Sequence, residues 1–437
     1  MRFLLNVCYI LLLVCFSPWL AYTALRKGKY RDGWGPKFLG QVPTRTGHRP
    51  CIWLHAVSVG EVNLLQPLLA QLGQEHPLWE CVISTTTRTG FALARKKYAS
   101  YQVFYCPLDF SWAVRQALRR IRPAVLVLVE LELWPNLIRE AREQGAAVAV
   151  VNGRLSEKSF RGYRRIRPLL RRSLEQINLF AVQNDTYAER FRELGAPDST
   201  VHVTGSIKFD GAQTDRDNST TLRLRQLWQV PDNAFVFLAG STQDPEERLA
   251  LETFRELRQV DANARLIVVP RHPERFEEVA QVLDQSGIAW QRRSKLDENP
   301  EAEPASILLV DVVGELGAWW GLATAGFVGG SMGSRGGQNM IEPAGYGVAV
   351  SFGPNTANFR DVVQQLLGQQ AAIVVANQHD LTAFVLRCRQ DPAFVRELGQ
   401  RARQLVLTQQ GATRRTVELL SPLVVTPSNE DPTPPPA

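Results

Sequence analysis

The 437-residue chain has no Cys-x-x-Cys pair, no cysteine or histidine spacing of a zinc site and no His-Glu-x-x-His run. These absences exclude the common zinc modules and zinc-hydrolase motifs, and nothing in the sequence calls for a metal or a cofactor. The six cysteines, Cys8, Cys15, Cys51, Cys81, Cys106 and Cys388, are scattered and read as buried thiols of a reducing compartment. No recognised RNA-binding motif accompanies the basic residues, so nucleic acid is not an expected partner. Acidic residues are scarce in one half only. Up to Asp210 there are 29 Lys and Arg against 16 Asp and Glu, and beyond it 21 against 27. The first half therefore suits an acidic lipid surface or an anionic substrate.

What is present fits a folded chain of two domains: 45% of residues are apolar, and the length exceeds one ordinary core. Phe3 to Tyr22 is an apolar segment of about membrane-spanning length, broken by Asn6, Ser17 and Pro18. Arg26, Lys27, Lys29 and Arg31 follow it, and no small-x-small cleavage site does. The expectation is a retained membrane anchor over residues 1–22, spanning or monotopic, with the body on the cytoplasmic side.

Short apolar runs then alternate with longer mixed segments. Cys51 to Val57, Trp79 to Ser84, Val103 to Cys106, Val125 to Glu130, Ala147 to Asn152, Leu179 to Gln183 and Val201 to Gly205 read as buried strands. The pattern restarts at Ala234 to Gly240, Arg265 to Pro270, Ser306 to Val310, Thr324 to Gly329 and Val348 to Phe352. Strands apolar along their whole length and separated by helices indicate parallel sheets covered on both faces. The expected domains are residues 23–210 and 221–425, joined by the polar stretch Gly211 to Thr220 and followed by a disordered tail over 426–437. Two such halves make a cleft, and ligands bind beyond the carboxyl ends of the strands.

Candidate chemistry falls at those ends. Phe327 to Pro343 is a strand end, a glycine-rich loop and an acidic residue at a helix start, the form of an anion-binding turn or of an ordinary tight connection. Gly60 and Glu61 stand where the first strand passes into a helix. Glu61 reads either as a general base or as a partner of its own helix dipole. Ser84 to Gly90 is a hydroxyl-rich loop that either binds an anion or caps a helix. Glu130-Leu131-Glu132-Leu133-Trp134-Pro135-Asn136 sets two carboxylates before a helix beginning at Pro135. Arg161 to Arg172 interleaves six arginines with apolar residues, as on a surface that meets acidic headgroups. Pro270 to Arg275 offers Arg271 and His272 to a phosphate or base, with a Glu274–Arg275 ion pair as the plainer reading.

Together these segments resemble the 3-deoxy-D-manno-octulosonic acid (Kdo) transferases, membrane-associated glycosyltransferases of lipopolysaccharide inner-core synthesis. The resemblance runs from the apolar N-terminus to about Phe359. It is carried by Ser58 to Glu61, Glu132 to Asn136, Asn152 to Ser156, Thr204 to Asp210, Ala239 to Thr242, Pro270 to Arg275, Gly314 to Leu316 and the Phe327 to Pro343 loop. It implies a GT-B fold: α/β, with two Rossmann-like domains facing a cleft and an N-terminal membrane-anchor helix. It also implies CMP-Kdo as donor, a lipid A precursor as acceptor, metal-independent inverting transfer, and residence on the cytoplasmic face of the inner membrane. By residue match Glu61 is the base and Glu132 lies near the reacting sugar. Gly60, Lys208, Arg271, His272, Gly314, Glu315, Gly336, Gly337, Asn339 and Glu342 bind substrate, with Glu342 on ribose and Lys208 on a donor carboxylate or phosphate. Four positions depart from the family pattern: Val312-Val313 for Thr-Met, Gln338 for His, and Leu131 for Thr. The architecture also hosts UDP-sugar transferases and epimerases, and a binding protein without turnover is the alternative of another class.

Overall fold

The computed structural model describes residues 2–27, 33–298 and 303–424. The expected tail, residues 426–437, lies outside them. Two compact units divide the chain. One takes in the chain to Asp210 and returns for the segment from Gln410 onward; the other is Gly211–Gln409. The sequence alone placed everything to 425 in the second unit, but the described residues from Gln410 fold with the first. Bonds between residues far apart in sequence hold the returning segment: Asp210 accepts the backbone N–H groups of Gly411, Ala412 and Thr413. This ties the start of the Ala412–Leu420 helix to the end of the first unit's core.

The first unit is built on seven parallel strands: β1 Cys51–His55, β2 Glu80–Thr85, β3 Gln102–Tyr105, β4 Val125–Val129, β5 Ala147–Gly153, β6 Leu179–Val182 and β7 Val201–Val203, in the order β3-β2-β1-β4-β5-β6-β7. The central β1 and β4 are buried at every position, as the unbroken apolar runs require when helices cover both faces. Each fully buried Val, Leu or Ile there contributes about 1.5–3 kcal/mol. The chain runs outward from β1 through β2 to β3 and then crosses back to β4. The carboxyl ends of β1 and β4 are therefore a topological switch point, where open α/β sheets hold their ligands.

The second unit repeats the plan with β8 Val236–Thr242, β9 Arg265–Pro270, β10 Trp290–Arg292, β11 Ile307–Leu309, β12 Ala325–Val328, β13 Ala349–Phe352 and β14 Ile373–Val374. The order is β10-β11-β9-β8-β12-β13-β14, all parallel, with the switch point between β8 and β12. The short outer strands β10 and β14 were not among the expected strands.

Arg2–Lys27 forms one helix assigned to the first unit. Among the described residues no helix is long and apolar enough to cross a membrane, so the spanning form of the expected anchor finds no support there. Ile10, Leu11, Leu12, Val14 and Phe16 of this helix are exposed. Cys8 and Cys15 on the same helix are also exposed, against the expectation of six buried thiols; Cys51, Cys106 and Cys388 are buried and Cys81 partly so.

Candidate active site

In the first unit the switch point gathers acidic side chains. The helix Val59–Glu75 begins with a capping box: Glu61 N–H donates to Ser58 Oγ, and the Glu61 carboxylate accepts Ser58 N–H. Glu61 also accepts from Val57 N–H at 2.8 Å and from the Ser58 hydroxyl at 2.7 Å. The plainer reading of Glu61 is thus present, and it has a second consequence. These bonds hold a buried carboxylate in one rotamer beyond β1. Burial raises its pKa above the ordinary carboxylate range; the bonds from Ser58 and Val57 oppose that, and the negative charge of Glu130 adds to it.

Glu130 and Glu132 arrive from the end of β4. Glu130 adopts a left-handed backbone, φ 60°, costly for a residue with a Cβ, and its carboxylate takes Arg154 Nε at 2.7 Å and Lys208 Nζ at 3.6 Å. Glu132 accepts Trp134 Nε1 at 2.8 Å; its pKa is raised by burial and then by the charges of Glu61 and Glu130. Behind Trp134 lies His55, completely buried and pushed down to about 4, hence neutral, with Nδ1 2.8 Å from Ser84 Oγ. The fold therefore brings Glu61, Glu132 and Lys208 together and adds Glu130 and Arg154. Gly60 is exposed in the first helical turn, where an added Cβ would meet only Ser58 Oγ, at 3.7 Å, among atoms outside its own helix. No packing demands a glycine there, in keeping with close approach by a ligand. Thr85 and Thr87 of the hydroxyl-rich loop donate to Val57 O, and Thr87 caps the Arg88–Lys97 helix, so these two serve the fold.

In the second unit the loop after β12 departs from the expectation. The backbone N–H groups of Gly330, Ser331 and Met332 do not point to an open anion site. They donate to Glu246, at 2.7, 2.9 and 3.0 Å, and Gln243 N–H donates to it at 2.9 Å. Glu246, the first residue of the Glu246–Val260 helix after β8, is buried, and burial raises its pKa against those four bonds. It was missed in the sequence because its three loop partners lie more than eighty residues away. The only local signal is the acidic pair after Pro245.

The remainder of the loop keeps the expected cluster. Gly336 and Gly337 both have positive φ, 87° and 77°, which explains their identity. Gly337 N–H donates to Gly330 O, and Gly336 O accepts from Asn358 N–H. Asn339 Nδ2 donates to Glu342 at 2.9 Å, while Arg271 Nε, arriving from the end of β9, donates to Gln338 at 3.1 Å. Burial raises the Glu342 pKa, opposed by the Asn339 bond and the Arg271 charge. His272 is exposed beside Arg271. Glu315 stands apart: the buried Arg293 grips its carboxylate with two bonds, 2.8 and 2.9 Å, and Trp319 Nε1 adds a third. Its geometry is that of a structural ion pair, and Gly314 before it takes φ 98° to make the turn. Arg275 pairs with Glu247 and Glu278, in place of the anticipated Glu274. Among the described residues no three His, Cys, Asp or Glu side chains are grouped to hold a metal ion.

Comparison with known proteins bears on the family and the fold. Residues 32–211 match the family model described as 3-Deoxy-D-manno-octulosonic-acid transferase (kdotransferase). A 3-deoxy-D-manno-octulosonic acid transferase of Haemophilus influenzae is 31% identical over 94% of this chain and 97% of its own. Among solved structures, a UDP-GlcNAc 2-epimerase from Neisseria meningitidis covers 85% of this chain and 100% of its own at 12% identity and TM-score 0.54. A glycosyltransferase from Rickettsia africae covers 86% and 99% at 10% identity and TM-score 0.52. These two likenesses concern the fold, which is GT-B with two Rossmann-like α/β domains. With a third of its residues shared along nearly the whole of both chains, the protein belongs to the 3-deoxy-D-manno-octulosonic acid transferase family.

Proposed function

We propose that the protein transfers Kdo from CMP-Kdo to a hydroxyl of a lipid A precursor, with inversion and without a metal ion. The observation that carries this reading is the meeting of Glu61, Glu130 and Glu132 with Arg154 and Lys208 at the first unit's switch point, in a chain of this family. Glu61 takes the proton of the acceptor hydroxyl as its oxygen bonds to the Kdo anomeric carbon. The bond from that carbon to the phosphate oxygen breaks, and CMP leaves with the electron pair. Burial raises the Glu61 pKa, which makes it a stronger base than an ordinary carboxylate.

Glu132, held by Trp134, lies beside the reacting sugar, and Lys208 and Arg154 offset the negative charge of the cluster. On the donor side Arg271, with His272, Asn339, Gly336 and Gly337, meets the single phosphate as charge develops on it, and Glu342 accepts from ribose hydroxyls. Glu246 already holds the first part of the loop, so the phosphate contacts fall to these later residues. The exposed apolar side chains of the N-terminal helix and the arginines from Arg161 to Arg172 seat the protein on the cytoplasmic face of the inner membrane, the helix lying within one leaflet.

The test incubates the purified full chain in detergent with CMP-Kdo, generated in situ, and a tetraacylated lipid A precursor. The product is read by mass spectrometry. A mass increase of one or more Kdo residues is expected; an unmodified acceptor alongside consumed donor, or transfer from a UDP-sugar instead, contradicts the reading.

A further inference from the structure

The N-terminal helix sends two polar side chains into the first unit, and both join the hydrogen bonds that hold the segment carrying Glu132. Tyr9 Oη donates to Asp109 Oδ2 at 3.0 Å. The same carboxylate accepts the backbone N–H groups of Asn136 and Leu137, at 3.0 and 2.8 Å. These are unpaired donors of the first turn of the Pro135–Glu143 helix, where Pro135 itself has none. The Asn136 side-chain amide donates to Asp109 O at 2.6 Å and to Asn6 Oδ1 at 3.4 Å. Asn6 in turn accepts Ser111 N–H at 3.1 Å and donates to Ser111 Oγ at 2.8 Å, at the start of the next helix in the layer. Asp109 is buried, Asn136 completely so, and the Tyr9 ring meets Phe110 edge-on at 6.0 Å.

Only five residues separate the end of β4 from this clamped helix start. Glu132 and Trp134 lie within that short span, bonded to each other, so the position of residues 135–137 limits where the Glu132 carboxylate can stand. An anchor that only attached the protein to a lipid surface would not require buried hydrogen bonds to this point of the chain.

We propose that Asn6 and Tyr9 are positioning residues of the transfer site: through Asp109 and Asn136 they fix the start of the Pro135–Glu143 helix, and with it Glu132 and Trp134. The N-terminal helix thereby completes the site as well as meeting the membrane. The proposal rests on the reading of Glu132 as a site residue.

Asp109 is faced by Tyr9 from the N-terminal helix, by Arg139 from the Pro135–Glu143 helix and by the Cys106 thiol beyond β3. Burial lifts its pKa to about 6, against the bonds from Asn136, Leu137 and Tyr9 and the charge of Arg139. Loss of the Tyr9 hydroxyl lifts it further. The ionised acceptor that holds residues 136 and 137 is then lost at a higher pH, and it is recovered as the pH rises.

The experiment measures kcat and KM across pH with the full chain in detergent, CMP-Kdo and the tetraacylated precursor, so that membrane attachment plays no part. Tyr9→Phe keeps the ring on Phe110. It should lower kcat roughly fivefold to tenfold at mildly acid pH, leave the KM for CMP-Kdo unchanged, and recover towards wild type in alkali. Asn6→Ser should lower kcat by a smaller factor with the same donor KM, and it carries the test should Tyr9→Phe not fold. Leu11→Ser, on the exposed face, should keep wild-type kcat. Wild-type kcat and pH profile in Tyr9→Phe, or in its absence wild-type kcat in Asn6→Ser, overturns the proposal even if the melting temperature falls. Glu132→Gln separates the two readings. If it keeps full kcat, the site assignment has failed; if it is impaired while Tyr9→Phe is not, only the positioning role has.

Discussion

In the first unit the carboxylates that follow β1 and β4 act on one another and on two cations, whereas in the second the carboxylate that follows β8 is spent on the backbone of the loop that follows β12. Both sheets are parallel and have a switch point beside their first strand, although their strand orders differ, so the contrast is not one of fold class. It lies in what each acidic side chain is bonded to. Glu61 and Glu132 keep raised pKa values and only short-range partners, which suits groups that exchange protons or contact a sugar. Glu246 has four backbone donors and no exposure, which suits a fixed brace. An acidic residue just past a strand in such a sheet can therefore serve the substrate or the loop, and the hydrogen-bond census distinguishes the two.

Substitution at both places tests the contrast. Glu61→Gln keeps shape and most capping contacts but cannot take a proton; kcat should fall by about 10²–10⁴ with little change in melting temperature, as read by steady-state transfer. Glu246→Ala should show the opposite division. Three loop N–H groups and that of Gln243 lose their acceptor, destabilising the second unit by about 3 kcal/mol in denaturant unfolding. Glu246→Gln should not restore stability, because each Glu246 oxygen receives two N–H groups and an amide NH₂ placed there opposes its pair. The smallest effect is expected at Gly60. Gly60→Ala should stabilise the chain by roughly 0.5–1 kcal/mol, since the residue is helical with open space around it, yet raise the acceptor KM. A rise in stability with unchanged KM would remove Gly60 from the substrate surface.

The central strands were legible because burial on both faces leaves unbroken apolar runs such as Val125 to Val129. The edge strands β10 and β14 were not: their residues are half-exposed or exposed, and only three and two residues pair. The return of the chain from Gln410 to the first unit was hidden for a different reason. It depends on Asp210 meeting residues two hundred positions later, and no local pattern encodes that meeting. Glu61 and Glu132 were readable from motif and strand end. Glu130 was legible as the other carboxylate of the same run, but its left-handed backbone and two cation partners arise from the tertiary fold. The glycine loop is legible in sequence as a strand-to-helix turn, but the bonding of its first N–H groups to Glu246 is not, because Glu246 is distant in sequence.

The most direct measurement of the central claim, that Glu61 is the base, is the single-turnover transfer rate as a function of pH for the wild type and Glu61→Gln. Because burial raises the Glu61 pKa, the wild-type rate should fall as the pH drops through a value above the ordinary carboxylate range; the residual rate of Glu61→Gln should lose that limb and keep only the fall that protonation of Asp109 brings near pH 6. The same acid limb in both proteins, or an undiminished rate in the variant, would contradict it.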